Sequence, residues 1–235
     1  MKPWIIFFDI DGTLLKTGGA GQAAMERALV DDFRISAPFT GVHTAGRTDR
    51  GIADEIFQRF ELTDTPEERR RFMQSYLTHL PGSLATLQGA VLPGVVSLLK
   101  LLNQRSDVVL TLLTGNYAAG ARIKLQHFGL AEYFQSGGFG DHHACRNEVA
   151  RQAATIVCDQ LKLENDPRRM IVIGDTPADV QCARAIEAKA VAVATGSYSH
   201  EELSEHSPDH LYIDFNMPQQ FVADVLSDSI DVSAP

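Results

Sequence analysis

Three short segments carry residues whose types and spacing could do chemistry. The first is Asp9-Ile10-Asp11-Gly12-Thr13, two carboxylates two residues apart that can face the same crevice when they close a strand. Gly12 lets the chain turn sharply there, and Thr13 can hydrogen-bond within the turn. The second is Leu112-Leu113-Thr114-Gly115-Asn116, a hydroxyl followed by amides that would open a helix and offer an anion site. The third is Ile173-Gly174-Asp175-Thr176-Pro177-Ala178-Asp179, with Asp179 one helical turn beyond Asp175 and Pro177 suited to a first helical position. Each segment alone has an ordinary explanation: an Asx turn, a hydroxyl cap, an acidic residue complementing a helix dipole. Together Asp9, Asp11, Asp175 and Asp179 would crowd carboxylates into one crevice, which a nearby cation makes tolerable. Hard oxygen donors with few imidazoles suit Mg²⁺ better than Zn²⁺.

The elements that must position these residues can be read from hydrophobic runs. Each segment follows one: Trp4 to Phe8, Val108 to Leu113 and 170–173, with further runs at 190–194 and 211–213. Helical patterns alternate with them at 95–102, 118–127, 148–161, 178–187 and 218–226. Buried strands alternating with helices predict an α/β fold, a doubly wound parallel sheet. In such sheets ligands bind beyond the carboxyl ends of the strands, where the three segments fall. One interval breaks the alternation: Asp9 and Thr114 lie 105 positions apart, whereas a strand–helix–strand unit takes about 30. Its middle shows helical patterns at 22–31, 50–60 and 66–78 without an apolar strand. This predicts a second, smaller α-helical domain over residues 15–90, set over a core of 1–14 and 91–235. The cluster Gly18-Gly19-Ala20-Gly21 lies at the crossing and reads as a hinge, since it lacks the lysine and spacing of a P-loop. The tail at 227–235 reads as frayed.

Composition limits the partners. The chain has 235 residues, 44% hydrophobic and 22% charged, with a net charge of −9. This is enough apolar content for a packed core and too acidic a balance for nucleic acid or an anionic membrane surface. The acidity is uneven: residues 1–189 hold 21 basic and 22 acidic residues, and no Lys or Arg follows Lys189. Cys145, Cys158 and Cys182 make no CxxC pair and fit free thiols in a reducing compartment. The amino-terminal apolar run is interrupted by Asp9 and is too short for a signal peptide, and no stretch approaches a membrane span. The expectation is a cytoplasmic monomer or homodimer.

In this order, Asp-Ile-Asp-Gly-Thr, Leu-Leu-Thr-Gly-Asn and Gly-Asp-Thr-Pro-Ala-Asp resemble the first, second and fourth motifs of the haloacid dehalogenase-like hydrolase superfamily. The resemblance implies that superfamily's Rossmann-like core with a helical cap of its first class. It implies a nucleophilic Asp9 that forms an aspartyl-phosphate, and Asp11 as general acid and base. Mg²⁺ would be held by Asp9, the Asp11 carbonyl and Asp175, with Asp179 ligating through water or orienting the shell. Thr114 would bond a phosphoryl oxygen, helped by amides near Asp11, Gly12 and Gly115 and by Asn116. Asp11 favours phosphate esters, because dehalogenases of the superfamily lack an acid there.

The third motif departs from the pattern. The superfamily normally places a lysine between the second and fourth motifs, yet no lysine lies between Lys124 and Lys162. Lys124 reads as part of an amphipathic helix and Lys162 as a helix-closing cation. Arg146, at a helix start after Gly137-Gly138-Phe139, resembles the arginine that replaces lysine in some phosphoglycolate-phosphatase-like members. His142 and His143 are adjacent, lack zinc spacing and read as loop residues. Gly46-Arg47-Thr48-Asp49 resembles the cap specificity loop of phosphoglycolate-phosphatase-like enzymes, with Arg47 reaching an anionic part of the substrate or pairing with Asp49. The expectation is a Mg²⁺-dependent phosphatase for a small phosphorylated metabolite, with phosphoglycolate foremost. The alternatives are a phosphosugar mutase of the same fold or a non-catalytic phosphate-binding protein.

Overall fold

The computed structural model describes residues 2–36 and 41–226; the 227–235 tail lies outside the described residues. Six strands form one sheet: β1 (Trp4–Phe8), β4 (Val108–Leu113), β5 (Gly137–Gly138), β6 (Met170–Gly174), β7 (Lys189–Val193) and β8 (His210–Tyr212). Their order is β5-β4-β1-β6-β7-β8, and every neighbouring pair is parallel. The connecting helices are α4 (Val95–Asn103), α5 (Ala118–His127), α6 (Arg146–Leu161), α7 (Pro177–Ala185), α8 (His200–Ser204) and α9 (Pro218–Val225).

The alternation of strand side chains builds a core on each face. Ile6 and Phe8 of β1 pack with Leu98 of α4, Leu125 of α5 and Phe221 of α9. Ile5 and Phe7 pack on the other face with Val149 and Ala153 of α6, Ala183 of α7 and Leu203 of α8. This two-faced burial is why β1 reads as an unbroken apolar run, and it makes the sheet doubly wound.

Between β1 and β4 the chain leaves the sheet. A short strand β2 (Leu15–Lys16) leads into α1 (Ala20–Phe33), α2 (Asp49–Arg59) and α3 (Pro66–Thr86), and β3 (Ala90–Val91) returns antiparallel to β2. The outgoing and returning chains are therefore tied side by side. Gly18, at φ +64°, lies so near this tie that a Cβ would sit 2.4 Å from the Gln88 carbonyl oxygen. The three helices bury their own cluster, with Met25, Ile56, Phe72 and Tyr76 at its centre. Helix α3 runs eight residues beyond the predicted 78 and through Pro81, carried by burial of Leu80 and Leu84.

Candidate active site

The three motif segments meet at the carboxyl ends of adjacent strands β4, β1 and β6. Asp9 follows β1, and its amide donates to the Ile173 carbonyl at 3.0 Å. Asp175 follows β6, and Asp179 lies in the first turn of α7. Carboxylate oxygens of these three buried residues lie within 4.8 Å of one another. Asp175 is wedged between glycines: a Cβ on Gly12, at φ +88°, would stand 2.3 Å from Asp175 Oδ2, and one on Gly196 would stand 1.7 Å away. Thr13 donates to Asp175 Oδ1 at 2.8 Å, so its hydroxyl braces the opposite loop instead of its own turn. Asp179 Oδ2 accepts from the Thr176 amide at 3.0 Å and the Thr176 hydroxyl at 2.7 Å, closing a capping box.

Arg146 opens α6 beneath this cluster. It is buried, pairs with Asp179 Oδ1 and stands 3.4 Å from Asp9 Oδ1. Burial works against its charge, but Asp179 and Asp9 more than offset that and hold its pKa above the ordinary value. Burial pushes Asp9 up to about 6, against the pull of Arg146. Asp175 is raised as well, by burial first and then by Asp179 and Asp9. A cluster of buried hard-oxygen donors that resists ionisation by itself suits a divalent cation, whose charge would favour the ionised forms. Asp9 and Asp175 could ligate it directly; both Asp179 oxygens already have partners, which suits orientation of the ligand shell.

Asp11 stands apart from the cluster, half-buried, and here the sequence reading of Lys124 is corrected. Lys124 is buried and donates to Asp11 Oδ2 and to Asn116 Oδ1, each at 2.6 Å. Asn116 Nδ2 donates to Asp11 Oδ2 and to Thr114 Oγ1, each at 2.8 Å. Two turns along α5 from Asn116, Lys124 points back to the mouth of the strand instead of covering a helix face. The signal was its spacing from Thr-Gly-Asn, but an amphipathic pattern cannot tell a core-facing lysine from a flanking one.

The helical insertion closes over this end of the sheet through its 44–49 loop. Asp49 donates its amide to the Gly115 carbonyl at 2.7 Å, and its Oδ2 accepts from the Tyr117 amide at 2.8 Å. Thr48 caps α2 by accepting from the Gly51 amide and donates to the Ala144 carbonyl at 3.1 Å. A Cβ on Gly115 would lie 2.0 Å from the Arg47 carbonyl oxygen. Arg47 lines the cavity, but its guanidinium pairs with Glu55 and donates to the Gly51 carbonyl at 2.8 Å. Its partner is thus Glu55 and not Asp49, and its charge is committed within the insertion. His142 and His143 line neither the cavity nor the acidic cluster among the described residues.

Between the sheet end and the insertion lies a cavity of about 390 Å³. Asp9, Asp11, Gly12, Thr114, Gly115, Asn116, Arg146 and Asp175 line its floor, and Met25, Asp49, Ile52 and Tyr76 line its roof. Nothing in the local pattern of Tyr76 or Gly196 marks either as a site residue; Asp49 belongs to the Gly46-Arg47-Thr48-Asp49 segment, which the sequence marks for Arg47.

A sequence profile of the haloacid dehalogenase-like hydrolase family matches residues 6–184. The chain is similar to a phosphoglycolate phosphatase of Agrobacterium fabrum, 26% identical over 217 residues that span 90% of this chain and 88% of the relative. It is also similar to an N-acetylmuramic acid 6-phosphate phosphatase of Pseudomonas aeruginosa, 26% identical over 213 residues and 86% of each chain. Among solved structures, a hydrolase from Pseudomonas syringae shares the fold with a TM-score of 0.72 at 20% identity, over 96% of this chain and all of the other.

Proposed function

The chain belongs to the haloacid dehalogenase-like hydrolase family and acts on phosphate monoesters, and from that premise we propose that it is a Mg²⁺-dependent phosphatase of small phosphorylated metabolites working through an aspartyl-phosphate. The observation that carries the reading is the buried Asp9–Asp175–Asp179 cluster with Arg146 beneath it, at the floor of a cavity between the sheet and the insertion. Asp9, Asp175 and the Asp11 carbonyl would hold Mg²⁺, which supplies charge neutralisation between the nucleophile and the incoming phosphoryl group.

The chain's own residues divide the remaining work. A carboxylate oxygen of Asp9 attacks phosphorus while the ester oxygen leaves with a proton from Asp11. Asp11 then takes a proton from the water that attacks phosphorus, and phosphate departs with Asp9 regenerated. Lys124 and Asn116 hold the Asp11 carboxylate in place through both steps. Thr114 and the amides at Gly12 and Gly115 would bond phosphoryl oxygens, and Arg146 balances charge below the nucleophile. We read residues 15–90 as a cap, with the β2–β3 tie as the crossing about which it opens and α1–α3 as the wall that keeps bulk water out. Within the substrate class, the relatives' names nominate phosphoglycolate and N-acetylmuramic acid 6-phosphate.

Release of inorganic phosphate from small esters, measured with and without Mg²⁺, tests the reading. We expect Mg²⁺-dependent release that Asp9→Asn abolishes. Release indifferent to metal or to Asp9→Asn would defeat it, and phosphate migrating to another position of the substrate would identify a mutase.

A further inference from the structure

The roof of the cavity carries polar groups that the phosphoryl chemistry leaves unused. Tyr76, on α3, is fully buried, and its hydroxyl, the residue's only polar side-chain group, has no hydrogen-bond partner among the described residues while the residue lines the cavity. An unsatisfied buried hydroxyl costs about 1–3 kcal/mol, so one is expected where something else completes the bond. Asp49, at the start of α2, lines the same roof, and among the described residues only its Oδ2 is taken, by the Tyr117 amide. Burial also raises its pKa, to about 6. Met25 and Ile52 give the roof an apolar edge.

Three of the four cations that line the cavity are committed to carboxylates. Arg146 is paired with Asp179 and Asp9, Lys124 with Asp11, and Arg47 with Glu55. The fourth lining cation, Lys16, is exposed on β2, four positions before α1, and has no ion pair among the described residues. A carboxylate entering the roof would meet the like charge of Asp49.

We propose that the Tyr76 hydroxyl and the Asp49 carboxylate bind hydroxyl groups of the leaving alcohol, so that the preferred substrate is the monophosphate of an uncharged, polyhydroxylated alcohol and not of a hydroxy acid. The phenol donates to one substrate hydroxyl and Asp49 accepts from another. The inference rests on the phosphatase reading and, within it, sets aside both substrates that the relatives' names nominate, since each carries a carboxylate.

Three esters of equal carbon length test it: propyl phosphate, glycerol 1-phosphate and 3-phosphoglycerate, which carry beside the phosphate nothing, hydroxyls only, or one hydroxyl and a carboxylate. We expect kcat/KM for glycerol 1-phosphate to exceed both others by about tenfold, the worth of one satisfied hydrogen bond in a buried site. Tyr76→Phe should lower the glycerol-to-propyl ratio by about tenfold, and Asp49→Asn should raise the phosphoglycerate-to-glycerol ratio. Preference for 3-phosphoglycerate in the unmodified enzyme would overturn the proposal, as would a Tyr76→Phe protein that scales glycerol and propyl esters equally. Absence of Mg²⁺-dependent turnover with all three would instead defeat the phosphatase reading. In that case titration calorimetry of the Asp9→Asn protein with the same esters reads the same ratios as Kd and still decides the subsite.

Discussion

Arg146 and Lys124 face different carboxylates, so their substitutions should fail in different ways. Arg146 lies under Asp9 and Asp179 and is buried. Arg146→Ala leaves buried acids uncompensated, and we expect both a lowered Tm and a fall in kcat of about a hundredfold or more, with Arg146→Lys recovering the Tm better than the rate because a point charge lacks the fork. Lys124→Ala removes the cation from Asp11, half-exposed at the cavity, and should cost about 10- to 100-fold in kcat with little change in Tm. Parallel measurement of kcat and melting temperature for the variants checks both, and an unaltered rate in Lys124→Ala would return that lysine to a merely structural place. The two residues also differ in legibility. Arg146 sits at a helix start, where a cation is electrostatically awkward, and that misfit is visible in sequence. Lys124 meets an Asp11 that lies 113 positions away, a contact no local pattern encodes.

At the scale of elements, the 44–49 loop lies against the Thr-Gly-Asn turn so closely that Gly115 has no room for a side chain. Gly115→Ala would drive a methyl into the Arg47 carbonyl and push the loop off the sheet end. We expect kcat/KM to drop by about tenfold or more with KM rising, because the roof no longer closes on the leaving group; steady-state kinetics with a good small ester measures it, and a variant with unchanged KM would show that this contact does not govern closure. The strands that bear the motifs were legible because burial on both faces writes long apolar runs, as in β1 and β4. The two-residue strands β2, β3 and β5 were not, since periodicity needs more residues than they have. The length of α3 was hidden by Pro81, a residue that stops helices unless tertiary packing outweighs it.

For the whole molecule, charge and metal are coupled through pH. Burial raises Asp9 from its ordinary 3.8 to about 6 and raises Asp175 in the same direction. The metal-free fold therefore favours their protonated forms: the stability they contribute is full below pH about 4 and is lost as pH climbs through about 6. A divalent cation binds the ionised forms, so its stabilising effect runs the other way. The rise in Tm on adding Mg²⁺ should be small near pH 5 and grow to a plateau by about pH 7.5; a rise independent of pH would contradict the assignment of these carboxylates to the metal. The net charge of −9 sits mostly beyond Lys189 and does not enter this balance, which is set by the groups at the strand ends. The strand order carries one more consequence. β1, the first strand in the chain, lies at the centre of the sheet between β4 and β6, pairing with Val108 onward on one edge and Met170 onward on the other. During synthesis on the ribosome the apolar Trp4–Phe8 segment therefore waits with both edges open until β4 emerges and with one edge open until β6 emerges, while α1 and α3, close in sequence, can already pack together. A chain that stops short of β6 leaves one edge of β1 unpaired and sticky, so Asp9 sits where the surroundings most need the later strands.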